Sequence, residues 1–204
     1  MQLYTLFVFM AAATVLSPGL GVVMTLTNSL RSGFSGTLGG ILGIAIGALV
    51  VAALSATGLG LLLATSAVAF TLMKLIGAAY LIYLGFRLWN AKVHSFDPAV
   101  PDTGGFVRRF VEGLSLQLTN PKVVFFFLSI FPQFIEPDGN YSFQFALLVL
   151  TYSALVVVIH SFYAFFARSA KTWLMSDIGG RITNKAGAVA FMFFGASLVF
   201  AKRQ

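Results

Sequence analysis

The sequence has no cysteine among its 204 residues and only two histidines. Without thiols the chain can form no disulfide, no thiolate metal site and no thiol redox centre. No pair of carboxylates lies within its apolar segments either. Because divalent metals bind imidazole, carboxylate or thiolate ligands, a metal exporter is disfavoured. The sequence therefore predicts neither a metal site nor a cofactor.

Charged residues are also scarce, at 9% of the chain, whereas apolar residues make up 58%. Ordinary soluble domains are about 25% charged, and the mean hydropathy here is +0.92. These values predict an integral membrane protein that is surrounded by the lipid bilayer. The isoelectric point of about 10.0 comes from basic residues in short links between apolar segments, which is typical of membrane proteins. No nucleic-acid partner is therefore expected.

Two enzyme motifs are absent from the sequence. It has no Gly-x-Ser-x-Gly, the nucleophile motif that an intramembrane serine protease would need. It has no Walker A sequence, the glycine-rich loop that cradles phosphates, so this chain is not expected to hydrolyse ATP. We expect that the chain is not an enzyme, and we assign it no catalytic residue.

Six apolar stretches are candidates for membrane spans, because a helix needs about 20 mainly apolar residues to cross a bilayer. They are residues 3–27, 36–64, 68–89, 110–134, 143–166 and 186–201. The last of these is the shortest. The predicted fold is an all-α integral membrane protein with six transmembrane helices, forming a single transporter domain over residues 1–204.

Basic residues set the predicted orientation. With six spans, nine of them fall on one side: Arg31, Arg87, Lys92, Arg108, Arg109, Arg168, Lys171, Arg181 and Lys185. Only Lys202 and Arg203 fall on the other side. The positive-inside rule then places the nine in the cytoplasm and both termini outside. If the segment 186–201 does not cross, the C-terminus lies in the cytoplasm instead.

Two of the apolar segments contain an internal proline, Pro18 in the first and Pro121 in the fourth. Proline removes the helical hydrogen bond to the carbonyl four residues back and kinks the chain. Pro18 should therefore free the carbonyl of Thr14, and Pro121 that of Gln117. Two broken segments in corresponding halves of a membrane chain are typical of a transporter's binding site. The alternative is that each proline is a packing kink satisfied by neighbouring side chains.

Three features recur in the two halves of the chain, about residues 1–90 and about 106–204. The matched pairs are Pro18 with Pro121, Gly77-Ala78 with Gly187-Ala188, and Gly85 with Gly195. The first pair is 103 residues apart and the other two are 110 apart. Because three spans are an odd number, two similar halves would insert with opposite orientation. The pattern predicts a 3+3 inverted repeat with proline-broken helices 1 and 4.

The substrate site is expected where the two breaks meet. Lys122 lies near the middle of the fourth segment, and an ionisable residue there is a functional candidate, although it could snorkel or bind a freed carbonyl for structure alone. Helix N-termini after the prolines suit a carboxylate, and freed carbonyls suit an ammonium group, so the breaks could hold a zwitterion. The predicted substrate-binding residues are Thr14, Ser17, Pro18, Gly19, Tyr80, Tyr83, Gln117, Asn120, Pro121 and Lys122.

Other polar residues give weaker signals. His160, in the fifth segment, is the candidate for proton coupling because histidine titrates near neutral pH; a structural bond to a neighbouring helix is the alternative. Tyr80 and Tyr83 share a helix face, where packing is the default interpretation and stacking on a substrate the sharper hypothesis.

The second segment carries a glycine stripe at Gly39, Gly43 and Gly47. This spacing leaves one helix face without side chains, which lets another helix approach closely. The stripe favours close packing within the monomer. It also suits a contact between copies of the chain, so a homo-oligomer stays open.

Three stretches resemble motifs of the LysE/RhtB family of bacterial amino-acid exporters, named for lysine export and homoserine/threonine resistance. They are Ser17-Pro18-Gly19 followed by Asn28-Ser29-Leu30 and Gly33; Gly77-Ala78-Ala79-Tyr80-Leu81-Ile82-Tyr83-Leu84-Gly85; and Leu118-Thr119-Asn120-Pro121-Lys122 followed by Phe131-Pro132-Gln133-Phe134. Their order and spacing agree over essentially the full chain. The resemblance implies a six-helix carrier in the bacterial inner (cytoplasmic) membrane that exports amino acids, driven by the proton gradient.

The sequence departs from the family pattern at two positions. Many members have a second proline where this chain has Leu20, and many have an aspartate where it has Ala48. Without that carboxylate nothing obvious would pair with a second positive charge, so a basic substrate is disfavoured. We expect a small neutral substrate such as homoserine, threonine or a branched aliphatic amino acid.

Two other functions compete with export. One is a non-transporting helical membrane scaffold, and the other is a channel for small solutes or ions. A scaffold has no need of paired midplane breaks, which favours a transporter. A channel would show open flux, whereas a carrier saturates and responds to pH.

Overall fold

The computed structural model of the chain describes residues 2–65, 67–91, 104–136 and 139–200. These residues form helices joined by short turns, and no strand occurs among them. The helices are α1 (Gln2–Leu16), α2 (Leu20–Thr65), α3 (Ala67–Trp89), α4 (Phe106–Leu118), α5 (Pro121–Phe125), α6 (Tyr141–Phe165), α7 (Ala167–Met175) and α8 (Asp177–Phe200). The predicted all-α class is confirmed for this part of the chain. Lys92, Lys202 and Arg203, used above for orientation, lie outside the described residues.

Two helical stretches within the described ranges are long and apolar enough to cross a bilayer by length and composition, Tyr141–Phe165 and Leu20–Ala56. The second includes Gly33, where the helix is interrupted. Leu3–Leu16 and Leu75–Trp89 are shorter apolar helices. Large apolar side chains also cover the outer surface, including Phe9 on α1. An apolar surface of this kind is typical of a protein that contacts lipid.

Helix α2 folds back on itself at Gly33, which has φ 70° and ψ −179°. Glycine adopts this left-handed conformation without the steric cost that other residues meet. The two limbs of α2, residues 20–32 and 34–65, then run side by side. A Cβ on Gly40 would lie 3.0 Å from Met24 Cε, and one on Gly21 would lie 3.5 Å from Ile44 Cδ1. The chain therefore reverses direction at a single residue.

Both proline regions interrupt the helices. Helix α1 ends at Leu16 and α2 begins at Leu20. Helix α4 ends at Leu118, and α5 begins with Pro121 as its first residue. Pro121 therefore starts a helix instead of kinking one, because a helix's first residue needs no N–H partner within the helix. Helix α5 continues into a π turn and then a 3-10 turn, which ends at Phe134.

Two predicted segments differ in length from the helices that form. The segment predicted over residues 3–27 corresponds to α1 and the first limb of α2, and stays helical to residue 32. The segment predicted over residues 186–201 belongs to α8, which begins at Asp177. The first part of α8 was not predicted because its side chains are polar. Asp177 is nevertheless a signal for a helix start, since an aspartate suits the positive N-terminus of a helix.

The glycine stripe lies against α4. A Cβ on Gly39 would collide with the carbonyl oxygen of Phe106, and a Cβ on Gly43 with that of Phe110. A Cβ on Gly47 would lie 2.7 Å from Gln117 Cβ. The stripe therefore serves close packing inside the chain, which holds α4 against the second limb of α2.

Helices α3 and α8 pack together through a reciprocal pair of contacts. A Cβ on Gly85 would lie 3.0 Å from the Ala188 oxygen, and a Cβ on Gly195 would lie 2.9 Å from the Ala78 oxygen. Each helix thus presents its glycine to the alanine carbonyl of the other. Small residues permit this close approach, as is usual between membrane helices.

An aromatic cluster fills the region beyond α5. Its members are Phe7, Phe126, Phe127, Phe131, Phe134 and Tyr152, all buried. Phe7 contacts three of the other rings at centroid distances of 5.4–6.0 Å. Tyr152 packs on Phe126 and Phe127 at 5.0 and 4.9 Å. Offset and edge-to-face contacts of this kind stabilise a dense core.

Candidate functional site

The break between α1 and α2 leaves a polar surface inside the molecule. Ser17 is buried, and its hydroxyl donates to the Thr14 carbonyl at 3.0 Å. The Thr14 hydroxyl in turn donates to the carbonyl of Met10 at 2.8 Å. Because Pro18 has no N–H, the carbonyl of Thr14 has lost its helical partner. It therefore remains an acceptor for other groups.

Lys122 supplies that other group from the second break. Its Nζ donates to the Thr14 carbonyl at 2.8 Å, to Ser17 Oγ at 2.9 Å and to the Ser17 carbonyl at 3.4 Å. A Cβ on Gly19 would lie 3.5 Å from the same Nζ. The two proline regions, about a hundred residues apart in sequence, therefore meet through one ammonium group.

The second break is closed by its own residues. The Asn120 side chain accepts from the backbone N–H of Lys122 at 3.1 Å, as an N-cap does. The backbone N–H of Asn120 donates to the Gln117 carbonyl at 3.2 Å. The expectation that Pro121 frees the Gln117 carbonyl was therefore wrong, because the turn at residues 119–120 gives that carbonyl a new donor.

A cavity of about 230 Å³ opens at the meeting point of the two breaks. Nine of the ten residues predicted to bind substrate line it: Thr14, Ser17, Pro18, Gly19, Tyr80, Gln117, Asn120, Pro121 and Lys122. His160 lines it as well. Tyr83 does not line it, and this residue is 51% exposed on the outer surface of α3.

The sequence reasoning missed several other lining residues, among them two residues of α3 and one of α6. Leu84 and Arg87 belong to α3, and Tyr152 comes from the aromatic cluster. Helical spacing offered a signal for the first two, because they lie four and seven residues after Tyr80 on the same face. No local pattern distinguished Tyr152, whose position depends on how α6 packs against Phe126 and Phe127 of the π turn.

Tyr80 forms part of the cavity wall through ring stacking. Its ring lies 4.1 Å from that of Phe125, with an angle of 22° between the planes. The Tyr83 ring lies 6.1 Å from the Tyr80 ring, further from the cavity. Packing thus fixes the orientation of Tyr80, and one tyrosine of the predicted pair is available to a bound solute.

His160 forms the structural bond to a neighbouring helix that was considered above, and it also lines the cavity. Its Nδ1 lies 2.6 Å from Thr25 Oγ1, and both residues are buried. One turn further along, Ser29 Oγ donates to the Ala164 carbonyl at 2.6 Å. These bonds fasten the first limb of α2 to α6. The role of His160 in proton coupling stays a prediction.

The charges around the cavity have one sign. Lys122 and Arg87 are its cations, and no carboxylate lies among the lining residues of the described chain. Hydroxyl groups, carbonyls, the His160 imidazole and the side-chain amides of Gln117 and Asn120 supply the remaining polar groups. Such a surface suits a small solute that carries a carboxylate together with hydrogen-bond donors.

A sequence profile of LysE type translocators matches residues 12–202. The chain belongs to this family. It is therefore a membrane translocator and not an enzyme, and the resemblance seen in its motifs is confirmed. No solved protein structure matches the chain significantly.

Individual relatives cover nearly the whole chain. The homoserine/homoserine lactone efflux protein of Salmonella typhimurium is 33% identical over 96% of each chain. An uncharacterized membrane protein of Vibrio cholerae is 32% identical over 99% of this chain and 100% of its own. The uncharacterized membrane protein YrhP of Bacillus subtilis is 29% identical over 93% of this chain and 94% of its own.

Proposed function

We propose that this protein exports a small neutral amino acid from the bacterial cytoplasm across the inner membrane. Homoserine, threonine and branched aliphatic amino acids are the candidate substrates. Family membership supports a translocator, and the Salmonella relative is named for homoserine and homoserine lactone efflux. The cavity is smaller than the roughly 300–1,000 Å³ pockets that hold drug-sized ligands, which suits a solute of this size.

The observation that carries the proposal is the bridge from Lys122 to the Thr14 carbonyl and the Ser17 hydroxyl. A charged group deep in a membrane protein is costly and usually marks a substrate or ion pathway. Here the cation reaches across from one broken helix to the other. A substrate carboxylate that approached Lys122 would compete with Ser17 and Thr14 for its three N–H donors. Binding would thereby loosen the contact between the breaks, as alternating access requires.

We propose six spans arranged as a 3+3 inverted repeat. The spans are α1 with the first limb of α2, the second limb of α2, α3, α4 with α5, α6, and α8. The reciprocal contacts of Gly85 with Ala188 and Gly195 with Ala78 support it, because a two-fold axis between α3 and α8 would generate one contact from the other. In this inverted repeat, the break between α1 and α2 is equivalent to the break between α4 and α5.

The proposed orientation places Arg31, Arg87 and Arg109 on the cytoplasmic side, with both termini outside. Arg87 lines the cavity on α3, and Tyr152 lines it from the aromatic cluster. The buried rings of that cluster therefore separate the cavity from the outside. This arrangement suits a carrier that is ready to receive its substrate from the cytoplasm.

The proposed driving force is the proton-motive force, with His160 as the proton carrier. One charge that moves across 100 mV provides about 2.3 kcal/mol, whereas a tenfold concentration ratio requires about 1.4 kcal/mol. Exchange of one proton per substrate could therefore sustain export against more than a tenfold gradient. Two contacts support this role, since His160 lines the cavity and bonds to Thr25 on the first limb of α2.

The test uses cells that overproduce the full chain and are loaded with dipeptides to raise internal amino acids. Release of free amino acids is followed with and without a protonophore, and cells with an empty vector are the control. Selective, saturable release that the protonophore abolishes supports the proposal. Release equal to the vector control would indicate a scaffold, and unsaturable release that ignores the protonophore would indicate a channel.

A further inference from the structure

The side chain of Gln117 is held at its stem and belongs to the cavity wall. Gln117 lies in the last turn of α4, is 3% exposed and lines the cavity. A Cβ on Gly47 would lie 2.7 Å from Gln117 Cβ and 3.0 Å from its Cγ, so the glycine leaves the room that this stem occupies. The backbone carbonyl of Gln117 accepts from the N–H of Asn120. The side-chain amide is therefore the part of the residue that can reach a bound solute.

This amide differs from other polar groups of the wall, which bond to the protein itself. The Ser17 hydroxyl accepts from Lys122 Nζ, and Asn120 Oδ1 accepts from the Lys122 backbone N–H. His160 Nδ1 lies 2.6 Å from a threonine hydroxyl. No hydrogen bond of the Gln117 amide occurs within the described ranges of the chain. A side-chain amide has two N–H donors and an acceptor oxygen, and burying such groups unpaired is costly.

We infer that the Gln117 amide binds an oxygen on the side chain of the substrate and thereby selects hydroxy amino acids over aliphatic ones. This inference rests on the proposed function, since it assigns the side-chain subsite of the same cavity. Amino and carboxylate groups are common to all the candidate substrates and do not distinguish them. A hydroxyl group can accept from the amide N–H and donate to the amide oxygen. A methyl group in its place would cover the amide and leave it unpaired.

Apolar side chains form much of the remaining wall, among them Ile44, Leu84, Val123 and Val156. They can pack against the carbon chain of any of the candidates. An apolar surface discriminates only weakly between a hydroxyl and a group of the same size, whereas a group that must be hydrogen-bonded rejects an analogue without the partner. The distinction between the candidates therefore depends on a polar group such as the Gln117 amide.

The inference separates compounds that differ by one oxygen. Homoserine and threonine both become 2-aminobutyrate when their hydroxyl group is replaced by hydrogen, and valine is threonine with a methyl group in place of the hydroxyl. Homoserine keeps its side-chain oxygen when it closes to the lactone, so the inference sets no condition on a free carboxylate. A buried amide left without its partner changes affinity by about ten- to a hundredfold.

The experiment uses the purified full chain in liposomes that are preloaded with unlabelled homoserine, threonine or valine. Exchange with the same labelled amino acid outside is measured, and 2-aminobutyrate is tested as a competitor. Gln117→Met removes the amide but keeps an unbranched stem of similar length, which fits the space at Gly47. Gln117→Asn keeps the amide and draws it back by one methylene. Gln133→Met is the matched control, because Gln133 is partly buried and does not line the cavity.

We expect the wild type and Gln133→Met to bind homoserine or threonine at least about tenfold more tightly than 2-aminobutyrate and valine. Gln117→Met should weaken binding of the hydroxy amino acids by about ten- to a hundredfold without weakening that of the other two, with Gln117→Asn between it and the wild type.

Two results would overturn the inference and leave the proposed function intact. One is a wild type that binds 2-aminobutyrate as tightly as homoserine and threonine, a comparison that does not depend on the folding of any variant. The other is a Gln117→Met variant that keeps the preference of the wild type. A wild type that exchanges none of the three labelled amino acids would overturn both the inference and the proposed function.

Discussion

The packing of α4 against the second limb of α2 gives a sharp prediction at Gly43. A Cβ at this position would collide with the Phe110 carbonyl oxygen and would lie 2.8 Å from the Leu114 nitrogen. Both are backbone atoms of α4, so no side-chain rotation can relieve the clash. The Gly43→Ala variant must therefore push α4 away from α2.

The size of the effect follows from two opposing terms. Overpacking typically costs about 1–3 kcal/mol, while alanine in place of a helical glycine returns up to about 1 kcal/mol of helix propensity. Because the obstacle is backbone, we expect the upper part of the range and a net loss of about 1–2 kcal/mol. For a chain of this length, each kcal/mol corresponds to about 2–4 °C in the midpoint of thermal unfolding.

The assay is thermal unfolding of the detergent-purified chain, followed by the loss of its monodisperse size-exclusion peak. Gly19→Ala is the control, because a Cβ there meets its nearest atom, Lys122 Nζ, at an ordinary 3.5 Å. We expect the Gly43→Ala midpoint to fall by about 2–8 °C and the Gly19→Ala midpoint to stay near that of the wild type. A Gly43→Ala variant as stable as the wild type would refute the close packing of α2 and α4.

The remaining predictions concern the cavity and the Gly33 turn. Tyr80→Leu should reduce export at least about tenfold because Tyr80 lines the cavity, whereas Tyr83→Leu should leave the rate near that of the wild type; equal effects would contradict the assignment of Tyr80. His160→Gln should abolish concentrative export but retain exchange without a proton gradient, and retained concentrative export would exclude His160 as the proton carrier. Arg109→Gln should lower the midpoint of thermal unfolding, because the buried guanidinium donates to the Gly36 carbonyl at 2.6 Å and to the Ser32 hydroxyl at 2.5 Å. Each such bond is worth about 1.5–3 kcal/mol. An unchanged midpoint would show that these bonds do not stabilise the turn at Gly33.

The breaks were predictable because proline acts locally. Pro18 and Pro121 cannot donate a helical hydrogen bond, and an apolar segment makes that loss conspicuous. The sequence could therefore locate both breaks and the lysine beside one of them. It could not reveal that Lys122 bonds to Thr14, because that contact depends on how two segments fold together.

Errors arose where tertiary contacts or side-chain direction decide the outcome. Gln117 keeps a donor on its carbonyl because the chain forms a turn at Asn120, which a proline rule alone does not describe. Tyr83 was predicted to share a face with Tyr80. It lies three residues further along the helix, however, and this rotation about the helix axis leaves its side chain on the outer surface. Arg87 was assigned to orientation only, although its spacing from Tyr80 predicts the same wall of the cavity.

Helix ends were harder to predict than helix centres. The apolar stretch over residues 186–201 predicted only the second part of α8. The helix begins at Asp177, and its first turns were missed because they carry polar side chains. The predicted spans over residues 3–27 and 36–64 already required a reversal between them, and the structure has it at Gly33. The exact residue could not be predicted, because a single glycine with positive φ leaves the helices on both sides intact.

The measurement that tests the central claim most directly is the initial rate of amino-acid export by Lys122→Met. The methionine side chain has a similar length but cannot bridge to Thr14 and Ser17. Lys185→Met is the matched control, because Lys185 lies 5.2 Å from the centroid of the Trp89 ring and does not line the cavity. We predict that Lys122→Met reaches the membrane at wild-type levels and loses export, while Lys185→Met keeps it. Wild-type export by a properly inserted Lys122→Met would contradict a transport site built on the two broken helices.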